Sequence, residues 1–336
     1  MDGEHSRALA HPAHTRAASQ RPEGGTDMSE LRLALDTCER RAREASSSFV
    51  ASFGSLPAKK RAAVNAVYAY CRWVDDIVDG DADERLPINE EVLAFSESRM
   101  EELIQQHGRR PSDPQDMARW RLEALSAMRL RLRAFAAGEA PKAGEHPVMR
   151  AMAWVMSTYS VRLLDLETII DGMEDDLFPT EVRNWEDVRA YCFKVASAVG
   201  LVLIEIYGYE DARARLHAID MGIQLQLINI LRDVQEDLER GRVYLPLDVL
   251  ESHGLSKEDL SDARIEQDHR WRAFIRDYCE AVEGHQSSAK DLLPLLDRRA
   301  RAQPGMMVDA YESLLASIVR TEGAVFTHRP KVGFFT

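Results

Sequence analysis

Apolar residues recur at intervals of three and four along most of the chain after residue 29. The clearest run comprises Ala62, Val64, Val67, Tyr70, Cys71, Val74 and Val78. This spacing places their side chains on one face of a helix. The alternation of apolar and polar residues that strands require does not extend over a useful length. The pattern therefore predicts an all-α fold.

Glycine and proline mark the points at which these helices end. The predicted breaks lie at Gly80–Pro87, Gly108–Pro114, Gly138–Pro147, Phe178–Asn184 and Arg240–Pro246. Residues 1–28 are rich in Gly, Pro, Ser, His and Ala without an apolar period, which predicts a disordered tail. No repeat of fixed period follows, so we expect one large domain over residues 29–336, with its site among facing helices.

Composition narrows the function. The chain has 336 residues, enough for a sizeable core, and a formal net charge of −13. This charge argues against nucleic acid as a partner, although divalent cations can bridge an acidic protein to a phosphate. The four cysteines form no CxxC pair and predict buried thiols in a reducing cytoplasm. The longest apolar run, residues 195–204, is too short to cross a bilayer, and the N-terminus lacks a secretory segment.

A first acidic cluster lies near the end of the helix predicted before Gly80. Asp75 and Asp79 are four residues apart and share one helix face, which Arg72 and Tyr68 extend toward the N-terminus. Two carboxylates on one face repel each other. A divalent cation would offset this repulsion, because hard cations prefer carboxylate oxygens.

A second polar stripe follows along residues 226–237. Its members are spaced by three, four and four residues and comprise Gln226, Asn229, Asp233 and Asp237. The intervening residues are mostly apolar and predict a helix packed against the core. An oxygen-rich stripe on such a helix is costly to bury unless it binds something. Amide and carboxylate oxygens suit Mg²⁺.

Each cluster alone is usually a solvated helix face, and a non-catalytic helical scaffold remains one interpretation. Two clusters of similar spacing, each with an adjacent arginine, favour a binding site. Mg²⁺ usually completes its coordination with phosphate oxygens, so the clusters, Arg72 and Arg232 suggest a diphosphate held by several Mg²⁺ ions. The apolar helices around them suggest that the remainder of the ligand is hydrocarbon.

Several segments in this order resemble the squalene/phytoene synthase family, and the chain is most like bacterial phytoene synthases. They are SSSF at 46–49, YAYCRWVDDIVD at 68–79, GMEDDL at 172–177, YCFKVASAVG at 191–200, NILRDVQED at 229–237 and GRVYLP at 241–246. The resemblance extends from about residue 46 to residue 329. It implies an isoprenoid synthase helical fold with a central hydrophobic cavity, and head-to-head condensation of two prenyl diphosphates.

The resemblance also implies roles for individual residues. The positions that match metal ligands are Asp75, Asp79, Asn229, Asp233 and Asp237. The positions that match contacts to the substrate diphosphates are Ser46, Ser47, Ser48, Tyr68, Arg72, Gln226, Arg232, Tyr311 and Arg329. Tyr191 matches a tyrosine near the carbocation, and either it or the released diphosphate is a candidate proton acceptor.

The leading expectation is a Mg²⁺-dependent phytoene-type synthase of carotenoid biosynthesis that joins two geranylgeranyl diphosphates; Mn²⁺ could replace Mg²⁺. One alternative is the same chemistry on farnesyl diphosphate, giving dehydrosqualene, or squalene if NADPH is used. A terpene cyclase, which ionises one substrate, is a further alternative. Because the product would be insoluble in water, we also expect loose association of a cytoplasmic protein with a membrane surface.

Overall fold

Helices make up most of the computed structural model, which describes residues 26–44, 48–82, 84–111, 115–178, 181–327 and 330. The α-helices are α1 (Thr26–Glu44), α2 (Ser48–Ala51), α3 (Ala58–Asp79), α4 (Glu90–His107), α5 (Gln115–Ala136), α6 (Pro147–Thr158), α7 (Leu163–Asp175), α8 (Trp185–Cys192), α9 (Ala198–Tyr207), α10 (Arg213–Glu239), α11 (Leu247–Ser252), α12 (His269–Glu283), α13 (Gln286–Leu292) and α14 (Ala302–Arg320). No β-strand occurs in this part of the chain, apart from isolated bridges. The all-α prediction is confirmed.

Helix ends fall where the sequence predicts them. Gly80 (φ 84°) ends α3 and Gly108 (φ 63°) ends α4, both in the left-handed conformation that suits glycine. The breaks predicted after α5, α7 and α10 are also present. Helix α1 begins at Thr26, slightly before the expected domain boundary, while residues 1–25 lie outside the described residues.

Helices α9 and α10 pack closely in antiparallel directions. A Cβ atom added to Gly222 of α10 would lie 2.5 Å from the Cα of Ser197, and one added to Gly200 of α9 would lie 3.2 Å from the carbonyl oxygen of Ala218. Residue numbers thus rise along one helix as they fall along the other. The two glycines permit this approach because they lack side chains, and α3, α7 and α14 pack around the pair.

A single helical rod runs from Trp185 to Tyr207 through α8, a π-helical turn over Phe193–Ser197, and α9. By length and composition this rod could cross a membrane. Half of its most apolar stretch is buried, however, and it contacts α3, α7 and α10. Core helices meet the same criterion, and the packing identifies this rod as one of them.

Candidate active site

A cavity of about 480 Å³ lies among α3, α7, α9, α10 and α14. Its polar end is formed by Tyr68, Arg72, Asp75, Gln226, Asn229, Arg232 and Tyr311. Most of its other lining residues are apolar and come from α7, α9, α10 and α14. The structure thus brings residues of both polar stripes, more than 150 residues apart in sequence, to one end of a largely apolar cavity. Asp79, Asp233 and Asp237 are not among the residues that line it.

On α3, Arg72 connects the acidic residues of the first stripe. Its guanidinium donates to Asp75 at 3.0 Å and lies 2.6 Å from Asp76. Burial raises the pKa of Asp75 to about 6, and the nearby Asp79 carboxylate contributes to this rise. A carboxyl group with a raised pKa gains when a cation binds beside it.

Asp79 lies one helical turn beyond Asp75, and its side chain is only 9% exposed. Two arginines from the segment after α10 approach its carboxylate: Arg240 at 2.9 Å and Arg242 at 3.3 Å. Arg240 also lies near enough to Asp75 and Asp237 to limit the rise in the pKa of each. These arginines therefore connect the two acidic stripes.

On α10, Asn229 leaves an oxygen atom free to bind a ligand. Its side-chain nitrogen donates to the Gln226 oxygen at 3.2 Å, while its Oδ1 is buried and has no hydrogen-bond partner among the described residues. Arg232 donates to both carboxylate oxygens of Asp233, at 2.8 and 2.5 Å, and is hydrogen-bonded to Tyr311. A buried acceptor without a partner is costly in a native protein and marks a place for a donor or cation.

Asp237 lies two turns beyond Asn229 on the same helix. Burial and the neighbouring Asp233 and Asp176 carboxylates together raise its pKa to about 7. The nearby arginines therefore only partly compensate the negative charge of the carboxyl groups here.

No group of three or more His, Cys, Asp or Glu side chains in the described ranges is arranged to hold a metal ion by itself. Mg²⁺ does not need such a cage, since it commonly takes one or two carboxylates and completes its coordination with phosphate and water oxygens. The unpartnered Asn229 oxygen and the raised pKa values of Asp75 and Asp237 fit ions shared with a diphosphate.

Tyr191 lies in a buried cluster beside the polar end rather than in the described cavity wall. Its hydroxyl donates to Asp176 at 3.3 Å, and its ring stacks on Tyr244 with centroids 4.2 Å apart. Tyr244 donates to the other Asp176 oxygen at 2.5 Å. Burial raises the pKa of Tyr191 well above its ordinary value, so that its phenol is neutral near pH 7.

Four predicted contacts lie beyond what the structure describes: Ser46, Ser47 and Arg329 are outside the described residues, and only the backbone of Ser48 is described, at the start of α2. Sequence reasoning assigned no role to Arg240, Arg242 or Tyr244. Arg242 and Tyr244 belong to the segment GRVYLP, whose charged and aromatic residues could have indicated that it contributes to the site.

Comparison with known proteins places this site in a family. The family model described as squalene/phytoene synthase matches residues 42–336. The chain is 28% identical to phytoene synthase 3 of Zea mays, over 97% of this chain and 67% of that protein. It is 29% identical to phytoene synthase of Mycobacterium tuberculosis (90% and 87%), and 27% identical to 15-cis-phytoene synthase of Synechococcus elongatus (91% and 90%).

Solved structures have the same fold. A dehydrosqualene synthase matches with a TM-score of 0.69 and 23% identity, over 89% of this chain and 91% of that one. A squalene synthase from Alicyclobacillus acidocaldarius also matches with a TM-score of 0.69, at 24% identity, over 88% and 98%. The fold, the paired polar stripes and the family match over most of the chain agree, and the protein belongs to the squalene/phytoene synthase family of prenyltransferases.

Proposed function

We propose that the protein condenses two geranylgeranyl diphosphates head to head, with Mg²⁺, to form phytoene for carotenoid biosynthesis. The observation that carries this proposal is the combination, in one cavity, of a polar end that includes Asp75, Arg72 and Arg232 with an apolar interior. Such a cavity matches a ligand with a diphosphate head and a hydrocarbon tail.

The choice of a C20 substrate draws on the relatives. The three described above, at 27–29% identity, are named phytoene synthases. The likeness to dehydrosqualene and squalene synthase structures concerns the fold. A C15 substrate is therefore the alternative outcome of the experiment below.

In the proposed reaction, Arg72, Arg232 and Gln226 bind the diphosphates. Bound Mg²⁺ would be held by Asp75, Asp79, Asn229, Asp233 and Asp237, and would supply the positive charge that favours departure of diphosphate. Arginine donors stabilise the same developing charge through charge-assisted hydrogen bonds.

Departure of the first diphosphate leaves an allylic cation. The double bond of the second prenyl chain attacks it, and loss of a proton gives a cyclopropylcarbinyl diphosphate. A second ionisation, rearrangement and loss of another proton give the C40 hydrocarbon, so two diphosphates and two protons are released in all. The apolar walls exclude water that would otherwise trap the cations.

The structure bears on the proton acceptor. Tyr191 donates its hydroxyl hydrogen to Asp176, and burial raises its pKa, so its phenol keeps its proton. A protonated phenol is a poor proton acceptor. We assign proton acceptance to the released diphosphate, and we assign to Tyr191 the positioning of the Asp176 and Tyr244 cluster beside Asp237.

An end-product assay tests this function. The protein is incubated separately with farnesyl and geranylgeranyl diphosphate, with Mg²⁺, with and without NADPH, and hydrocarbons are identified by mass. A C40 product from the C20 substrate supports the proposal. A C30 product moves the assignment to dehydrosqualene, or to squalene if NADPH changes its mass. A cyclised product from one substrate, or no hydrocarbon, contradicts head-to-head condensation.

We further propose that the protein is cytoplasmic and works at a membrane surface, because a C40 hydrocarbon needs a lipid phase to leave the cavity. Co-sedimentation with neutral phosphatidylcholine vesicles is the test. We expect binding without a requirement for anionic lipid, since the net charge is −13. Complete recovery in the supernatant would contradict this proposal.

A further inference from the structure

The cavity has a far end, which the packing of α9 and α10 locates. Ser197 of the π-helical turn lies beside Gly222 of α10, and Gly200 lies beside Ala218, so α9 runs away from the polar end. Tyr207 is seven residues beyond Gly200, about 10 Å farther along the axis. Asn229 is seven residues beyond Gly222 in the opposite direction, again about 10 Å. Tyr207 and Asn229 therefore lie at opposite ends of the cavity that both line.

Helix α14 gives the same result independently. Gln303, in its first turn, and Tyr311, farther along, both line the cavity. Tyr311 is hydrogen-bonded to Arg232 at the polar end. Gln303 is eight residues before Tyr311, about 12 Å along the helix, and its side chain meets Tyr207. The two helices thus converge at the far end.

At this far end three polar side chains form a row, which we call the floor row: Tyr207, Gln303 and Ser52. The Tyr207 hydroxyl donates to Gln303 Oε1, and Gln303 Nε2 donates to Ser52 Oγ at 2.9 Å. Their exposed fractions are 3%, 1% and 0%. The row therefore joins α9, α14 and the segment before α3 across the end of an apolar cavity.

The position of Tyr207 is also held through its backbone. Lys60 donates to the Tyr207 carbonyl oxygen at 2.5 Å and pairs with Asp297 at 2.8 Å. A prenyl chain that pushed the ring aside would have to break a hydrogen bond between buried groups and leave both partners unsatisfied. The floor row consequently resists displacement better than an aliphatic side chain would.

We propose that the floor row closes the cavity and sets the longest prenyl chain that the enzyme accepts. The ring of Tyr207 blocks the terminal isoprene unit, and Gln303 fixes that ring in place. This inference rests on the proposed function, because it assumes a prenyl diphosphate whose head binds at the polar end. It assigns a specificity role to residues distant from the reacting atoms.

The test compares Tyr207→Leu and Gln303→Leu with wild type, using C15, C20 and C25 prenyl diphosphates in competition. Tyr207→Leu removes the ring, and we expect kcat/KM for the next longer chain, relative to the normal substrate, to rise about tenfold or more, since single methylenes already change selectivity by about tenfold. Gln303→Leu keeps the volume but frees the Tyr207 ring, and we expect a smaller rise in the same direction.

Tyr70→Leu is the matched control. Tyr70 is also a fully buried tyrosine, its hydroxyl donates to the Leu166 carbonyl oxygen at 3.3 Å, and it does not line the cavity. Thermal unfolding confirms that each variant is folded. An unchanged chain-length ratio in folded Tyr207→Leu, or an equal shift in Tyr70→Leu, would overturn the proposal.

A second readout separates this inference from the proposed function. Non-ionisable thiodiphosphate analogues of each length are titrated into wild type and Tyr207→Leu, and their dissociation constants are compared. If wild type gives no head-to-head product from any chain, the proposed function fails, and the analogue series still decides the inference: a shift toward the longer analogue supports the floor row, and an unshifted preference refutes it.

Discussion

Two acidic segments of similar composition are treated differently by the fold. Near the end of α7, the carboxylates of Asp171, Glu174 and Asp175 have partners on neighbouring helices. Glu174 is fully buried between Arg99 at 2.8 Å and Arg129 at 3.1 Å. Burial opposes ionisation of Asp175, but hydrogen bonds from His107 and Lys194 outweigh it and lower its pKa below the ordinary value.

The α10 segment lacks comparable compensation. Arg232 pairs with Asp233, while burial raises the pKa of Asp237 to about 7 and the Asn229 oxygen has no partner among the described residues. Glu174 shares part of this character, since burial raises its pKa and its Oε1 has no hydrogen-bond partner among the described residues. The stripe on α10 differs because Gln226, Asn229 and Arg232 line the cavity, whereas the carboxylates of α7 do not. Acidic spacing alone therefore does not define a ligand site. We infer that the α7 carboxylates are structural and that the α10 stripe binds a ligand. Four predictions test this contrast.

The largest effect should come from Asp75→Asn or Asp233→Asn. Each removes a carboxylate that we assign to cation binding, and we expect the rate of product formation to fall about 100- to 1,000-fold. Asp171→Asn on α7 is the matched control and should leave the activity of the folded protein near wild type. Near-normal turnover in Asp233→Asn would refute the assignment of the α10 stripe.

For stability, substitutions on α7 should have a larger effect than substitutions on α10. Glu174→Ala leaves the buried Arg129 and the partly buried Arg99 with reduced compensation, and we expect the free energy of unfolding to fall by about 3–5 kcal/mol. Asp237→Asn should raise it at pH 8, because it removes a buried charge whose pKa the fold raises. Urea unfolding measures both. Equal destabilisation by the two substitutions would remove the distinction between the segments.

The pH dependence of stability tests Asp176, which follows α7 and lies near Asp237 of α10. Burial raises the pKa of Asp176 to about 6 from an ordinary 3.8. Between pH 4 and 6 the folded protein keeps a proton that the unfolded chain has lost, so stability falls as pH rises, by up to about 3 kcal/mol from this group. Asp176→Asn should remove that part of the fall. The pKa of Asp175 is lowered, so this group makes the protein more stable as pH rises, and it does so below pH 4. Asp175→Asn should therefore keep the loss of stability between pH 4 and 6. Identical pH slopes in wild type and Asp176→Asn would contradict the assignment.

The smallest effect concerns cation binding without turnover. With Mg²⁺ and inorganic diphosphate together at ten times the apparent dissociation constant, stability should rise by about 1.4 kcal/mol. Thermal unfolding detects this as a higher Tm. We expect Asp171→Asn to keep the rise and Asp233→Asn to lose it. No rise in wild type would argue for the helical scaffold interpretation of the stripes.

Much of the fold could be predicted from local signals. Gly80 and Gly108 end helices because they adopt a left-handed conformation that most residues avoid, and this preference is visible in the sequence. The break between Thr158 and Leu163 was not foreseen, since no glycine or proline marks it. Local sequence carries no signal there for the end of one helix and the start of the next.

The candidate site was predictable where residues repeat along one helix. Tyr68, Arg72 and Asp75, and likewise Gln226 and Asn229, were expected on shared faces and line the cavity. Contacts between distant segments were not predictable in this way. The meeting of Tyr207 with Gln303, 96 residues later, depends on how α9 and α14 cross. Helical periodicity carries no information about such crossings.

The π-helical turn over Phe193–Ser197 has a consequence for mutational tolerance. A π-turn is an α-helix with one residue too many, so deleting one residue there would restore the regular helix. The preceding segment would keep nearly the same orientation relative to α9, because a π-turn accommodates its extra residue within a single turn. Tyr191 would stay beside Asp176 and Tyr207 would keep its place. A deletion within the regular helix α10 would instead rotate everything on one side of it by about 100°. A single-residue deletion in the π-turn should therefore be far less damaging than one within α10.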